Sequence, residues 1–253
     1  MKTVLFKIVL AVSVLALAVM ACSVATPGGS AVPTDKPAPT ADIGGGDSGN
    51  TNSGGDVTPP TSVPPSNNGR PLLNDDFRGP DSNWGTGTDA DSAVEYVNDA
   101  LQFIIFTTNL IVYSGPNDTD YENIHIEVTA ANTSTDPNAA FGVMCNQQFM
   151  DDEFYYAYIT ASGDYGIVKS MFVEDNVDLA TGYSELIPQN ASSYQIGLDC
   201  GNGAITLYVN GQIIDTVTDA SYTTGHVGLL AFSGKTASGV SVSFDDFIIT
   251  ALP

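Results

Sequence analysis

Positive charge is what this chain has least of. Seven Lys and Arg residues stand against 29 Asp and Glu, for a formal charge of -22. Removing a leader that carries Lys2 and Lys7 leaves five basic residues against the same 29 acids, near -24. A surface of that sign repels phosphate backbones and anionic headgroups, which excludes nucleic acid as a natural partner. Solubility accounts for the acidity; attraction of divalent cations is the other reading. Histidine is almost absent, with only His125 and His226, so a histidine-based triad or a zinc site is hard to assemble. There is no Gly-x-Ser-x-Gly elbow and no His-Glu-x-x-His pair. Nor is there a Glu-x-Asp-x-x-Glu run, whose alternate carboxylates would share one face of a strand as glycoside hydrolysis needs. Asp151-Asp152-Glu153 is a consecutive run whose side chains diverge, and it reads as a solvated turn.

What is present falls into three parts. Lys2 and Lys7 flank a short positive segment, and Ile8 to Met20 is an apolar run of signal-peptide length. Residues 1–21 therefore read as a signal peptide, ending Val19-Met20-Ala21-Cys22. This resembles the bacterial lipobox, with Met20 as a departure from the small or β-branched residue usual there. The resemblance implies a lipid-modified Cys22, a palmitate-bearing membrane anchor on the extracytoplasmic side of a bacterial envelope. Ordinary signal cleavage nearby and an uncleaved anchor are the alternatives.

Residues 22–70 contain no aromatic side chain and are dominated by Pro, Gly, Ser, Thr, Asn and Asp. Such a segment cannot bury enough apolar area to offset its ordering entropy, so it is expected to be a disordered tether. Flexible-coil scaling gives it a root-mean-square reach of roughly 35–40 Å.

Residues 71–253 change character again. More than ten short runs rich in Val, Ile, Phe and Tyr are separated by Asn, Asp, Gly and Pro, with no sustained helical period. The expected fold is all-β: a single antiparallel two-sheet β-sandwich, monomeric. The clearest local signal is Asn210-Gly211 between Ala204–Val209 and Gln212–Val217, where a type I′ turn needs φ > 0 at both loop positions. Alternation places Ile124, Ile126 and Val128 on one face of a strand and Asn123, His125 and Glu127 on the other. Phe141, Val143 and Cys145 are in phase, as are Ile196, Leu198 and Cys200, so both cysteines point inward. In an exported domain the pair is expected to form a disulfide between neighbouring strands; two separate buried thiols are the alternative.

Asn74-Asp75-Asp76-Phe77 with Trp84, Leu207-Tyr208-Val209-Asn210-Gly211, Gly225 to Leu229 and Val242 to Phe247 resemble concanavalin A-like lectin and glucanase jelly rolls. Within that group the chain is most similar to laminin-G-like modules and to the 3-keto-disaccharide hydrolase-type domain. The resemblance implies first and last strands side by side, bringing Asp75-Asp76 near Asp245-Asp246. It also implies a possible structural calcium at Asp76 and Asp245, the one cofactor expected. Phe154-Tyr155-Tyr156-Ala157-Tyr158-Ile159 alternates so that Tyr155, Ala157 and Ile159 pack inward and Tyr156 and Tyr158 face out. With Asn123, His125 and Glu127 supplying hydrogen bonds if their strand shares the sheet, these form the candidate face for a polysaccharide. A Tyr-rich strand with no ligand is the plainer alternative. His125 with Glu127 is the remaining acid/base candidate. The expected function is therefore a lipid-anchored, non-catalytic glycan- or partner-binding domain. A glycoside-processing hydrolase and an envelope adhesion module are the alternatives.

Overall fold

The computed structural model describes residues 8–9, 71–79, 83–116, 118–148, 153–172, 174–234 and 239–253. Apart from Ile8–Val9, the leader over 1–21, Cys22 and the tether over 22–70 lie outside the described residues, as do Asp151 and Asp152.

The described chain is strand throughout, in two antiparallel sheets. The front sheet runs β1 (Ile8–Val9), β6 (Leu110–Ser114), β16 (Thr224–Phe232), β9 (Ala140–Gln147), β10 (Phe154–Thr160), β11 (Asp164–Ser170) and β12 (Val177–Tyr183), with β7 (Tyr121–Glu122) also paired to β16. The back sheet runs β15 (Gln212–Thr218), β14 (Ala204–Val209), β13 (Tyr194–Gly201), β8 (Ile124–Asn132), β17 (Val240–Ala251), β5 (Ala100–Ile105), β4 (Ser92–Val97) and β3 (Gly87–Thr88). Between them lies one apolar layer, to which Phe103, Phe141, Ile126, Leu198, Leu207 and Phe244 contribute fully buried side chains.

Turn chemistry sets the strand order. Asn210 (φ 50°) and Gly211 (φ 75°) close the β14–β15 hairpin, and Asn202 (φ 53°) and Gly203 (φ 74°) close β13–β14 in the same way. Two successive Asn-Gly loops thus fold one edge of the back sheet from local sequence alone. Asn123 does something the sequence does not announce. The run from Tyr121 to Ala130 reads as one strand, but Asn123 has φ 50° and breaks it. Its first part pairs with β16 in front and its second part with β13 and β17 behind, so the chain changes sheets at one residue. The strand β12 was also not expected: Val-Asp-Leu-Ala-Thr-Gly-Tyr has little apolar content because it is a largely exposed edge.

The back sheet also takes in β2 (Leu73–Asp75), the first strand after the tether, which pairs with the last strand, Phe247 opposite Asp75 and Ile248 opposite Asn74. Asp75 then holds the corner: it accepts from Trp84 Nε1 at 2.7 Å and from the Phe77 amide at 2.9 Å. Phe77 has φ 51°, a left-handed conformation unfavourable for a bulky residue, yet its ring is buried against Trp84. Trp84 in turn meets Phe247 edge-on at 5.0 Å. Asp75→Ala removes a charged acceptor from two buried donors and is expected to lower stability by about 2–3 kcal/mol. Denaturant unfolding at neutral pH checks this; a change below about 0.5 kcal/mol would mean that water replaces the carboxylate.

Cys145 and Cys200 form the disulfide, with Cα atoms 6.5 Å apart. One expectation is corrected here. The two strands are not neighbours in a sheet: Cys145 is on β9 in front and Cys200 on β13 behind, so the bond crosses the core and joins the two layers.

Candidate functional site

The outward face of the front sheet carries a second apolar cluster, separate from the core. In β10 the alternation is as expected: Tyr155, Ala157 and Ile159 join the core, while Phe154 and Tyr156 join Met144, Val168 and Leu230 outside it. Ile111, Tyr113, Tyr158 and Phe232 pack against that cluster half-buried. The rings run in a chain, Tyr113 to Phe154 at 5.8 Å, Phe154 to Tyr156 at 5.8 Å, Tyr156 to Tyr158 at 6.3 Å and Tyr158 to Phe232 at 4.9 Å.

Glycine makes that chain continuous. Gly142 lies in register between Tyr158 and Leu230, so no side chain separates the β10 and β16 rings. On the other side a Cβ at Gly166 would stand 2.4 Å from the Tyr158 ring, which shows that the ring lies down over that glycine. The ribbon has polar neighbours. Burial, with smaller contributions from Tyr158 and Asp178, pushes the Tyr156 hydroxyl up to about 12, although its bond to Asn176 opposes the rise. Tyr158 is raised by burial and then by Asp178 and Asp164. Both phenols therefore keep their protons and can donate. The sequence pointed to Tyr156 and Tyr158; it did not point to Tyr113 or Phe232, which reach the ribbon only because β6 and β16 belong to this sheet.

The rest of the expected face is elsewhere. Asn123, His125 and Glu127 do not join Tyr156 and Tyr158, because β8 is a central strand of the back sheet and its polar side faces away from the front. Asn123 is occupied with structure, its Oδ1 accepting the Asn202 amide at 2.8 Å. His125 is 6% exposed and sits beside Asp199, with Nδ1 to Oδ1 at 2.6 Å and Nε2 to Glu127 Oε2 at 3.7 Å, the latter an ion-pair distance. Tyr208 donates to the other Asp199 oxygen at 2.7 Å, and Gln195 donates to Glu127 at 2.7 Å. Burial alone would lower the His125 pKa, but the bonds to Asp199 and Glu127, with their charges, outweigh it and raise it to about 9. The imidazole is thus protonated at neutral pH, a poor general base. Asp199 and Tyr208 were missed in the sequence because only strand pairing sets Asp199 opposite His125.

Asp76 and Asp245 are near enough to interact: burial and the charges of Asp246 and Asp76 raise the Asp245 carboxyl, while the Asp246 amide, which donates to it at 2.8 Å, and Arg78 oppose the rise. Arg78 pairs with Asp76 at 3.3 Å. Among the described residues, no three His, Cys, Asp or Glu side chains gather as a metal site.

No family model matches the chain, and no curated protein sequence matches it. Solved structures do. The chain is similar to the carbohydrate binding module CBM66 from Bacillus subtilis (TM-score 0.52, 14% identity, 66% of this chain and 95% of that one). It is similar to a Bacillus subtilis protein of unknown function with a galectin-like fold (TM-score 0.56, 13% identity, 72% and 96%). It is likewise similar to the Bacillus licheniformis beta-glucanase (TM-score 0.51, 12% identity, 70% and 97%). Identities this low establish the fold alone, and the fold is a concanavalin-like jelly roll, the architecture of carbohydrate-binding modules and sandwich glycoside hydrolases.

Proposed function

We propose that this protein binds a glycan without cleaving it, on the front sheet, from a lipid anchor at Cys22 on the extracytoplasmic face of a bacterial membrane. The observation that carries the reading is the ribbon of five aromatic rings from Tyr113 to Phe232. Phe154 and Tyr156 are buried, and the partly exposed Tyr113, Tyr158 and Phe232 present the ribbon's surface; tyrosine rings with polar neighbours suit sugars, which offer apolar ring faces and hydroxyls together. The strongly acidic chain disfavours anionic polysaccharides, so the ligand class is neutral glycan. The disulfide supports an oxidising, exported location. Against hydrolysis stands His125, the one acid/base candidate, which is buried, protonated and on the wrong sheet.

Affinity gels cast with neutral and acidic polysaccharides test this. Wild-type protein is expected to be retarded by at least one neutral polymer. Tyr158→Ala should weaken that retardation about tenfold, the loss of one stacked ring. Gly166→Ala keeps every aromatic residue but displaces the Tyr158 ring, and a comparable loss is expected. Retardation unchanged in both variants removes the front face from the reading, and release of reducing ends by wild type would favour the hydrolase instead. The anchor has its own check: wild type should take up a clickable palmitate analogue and sediment with membranes, and Cys22→Ser should do neither.

A further inference from the structure

One flank of the sandwich is formed by two terminal strands of seven residues, β12 in front and β15 behind, which lie next to each other. Among the described residues no strand pairs with the outer edge of β12, so a row of its backbone amides and carbonyls faces solvent. Edges of this kind are usually blunted by Lys, by Pro or by a bulge. β12 has a register shift against Ile167 and Val168 but neither Lys nor Pro, and five of its seven residues are exposed, Val177 and Tyr183 among them.

Charge selects what such an edge can accept. Glu174, Asp175, Asp178 and Glu185 stand on β12 or beside its ends, all exposed. The sequence has no Lys or Arg between Lys169 and Lys235, and Lys169 is paired with Asp219 at 3.0 Å. Two copies of β12 set edge to edge would bring these acids together, in a chain of formal charge -22. Repulsion thus disfavours a second copy and favours a strand of the opposite sign.

Register gives the pattern of that strand. Asp178 lies opposite Val168, Thr181 opposite Gly166 and Tyr183 opposite Asp164, on the outward side of the front sheet. Ala180 lies opposite the core residue Ile167, and with Leu179 it packs half-buried against the core. Side chains of an added strand alternate between the same two sides. We infer that β12 accepts, by strand addition, an extended segment of another protein in which Lys or Arg alternates with apolar residues. Its backbone continues the ladder, its bases answer Asp178 and the acids at the two ends of β12, and its apolar side chains cover Leu179 and Ala180. This surface does not depend on the glycan reading of the front face, and either can fail alone.

The test is an NMR titration of the purified chain, disulfide intact, with synthetic peptides of the length of β12. A peptide of alternating Lys and Val is expected to shift the amides of Val177–Tyr183 saturably, with its alternating Glu and Val counterpart at least about tenfold weaker. Asp178→Lys should weaken the Lys-Val peptide about tenfold. N-methylation separates strand addition from charge attraction, because it removes backbone donors and leaves every charge in place. Methylating the alternate residues whose amides face β12 should abolish binding, and methylating the other set should leave it intact. Three outcomes overturn the inference: no shifts by about 1 mM peptide, equal binding of the two methylated peptides, or protection of the β12 amides that rises with protein concentration alone, which would make a second copy the occupant.

Discussion

Loss of the Cys145–Cys200 bond is expected to cost this domain about 4 kcal/mol. The two cysteines are 55 residues apart, and the loop-entropy relation for a loop of that length gives about 4 kcal/mol at 25 °C. The position of the bond adds a second reason for a large effect. Strands within a sheet are already joined by their hydrogen bonds, whereas β9 and β13 belong to facing layers held by apolar packing, and the disulfide is the covalent tie across that packing. At roughly 2–4 °C per kcal/mol for a domain of this size, Tm should fall by about 8–16 °C in a Cys145→Ala/Cys200→Ala variant. Reductant should produce the same fall in wild type and none in the variant. A Tm within about 2 °C of wild type would show that the layers hold without the bond.

The second large effect is on pH. His125 is free to titrate near 6.5 in the unfolded chain and near 9 in the folded one, because Asp199 and Glu127 flank its buried ring. A folded pKa above the unfolded value means that the folded state holds the proton more tightly. Its contribution is therefore fully present below pH 6.5 and is lost as pH rises through 9. At 1.36 kcal/mol per pH unit, the interval amounts to about 3 kcal/mol. Denaturant unfolding at pH 6, 7.5 and 9.5 should show wild type losing about that much across the series. Asp199→Asn removes the closer carboxylate and should shift the loss to lower pH and shrink it. Parallel curves for the two proteins would show that Asp199 does not hold the proton.

Much of the architecture was legible in the residues. Period-2 patterns in Ile124–Val128, Phe141–Cys145 and Phe154–Ile159 placed each side chain on the correct face of its own strand. Asn-Gly at 210–211 located a hairpin, since few other pairs adopt φ > 0 at both positions. Alternation also separated Tyr156 and Tyr158 from the core. The same rule is silent about which strands share a sheet, and this is why Asn123, His125 and Glu127 were grouped with the tyrosines. A side chain facing away from the core can be on either of two outer surfaces, and the pattern is identical for both.

The sequence by itself therefore determined the class of fold, the inward direction of both cysteines and the outward direction of Tyr156 and Tyr158. Those properties follow from local geometry, the pleat and the turn, which each short segment carries within it. The tertiary structure alone decided that the disulfide joins layers rather than neighbours and that Tyr113 and Phe232 complete the ribbon. It also decided that His125 meets Asp199. Each of these depends on pairing across long loops, where the favourable partner is chosen by the packing of the whole sandwich.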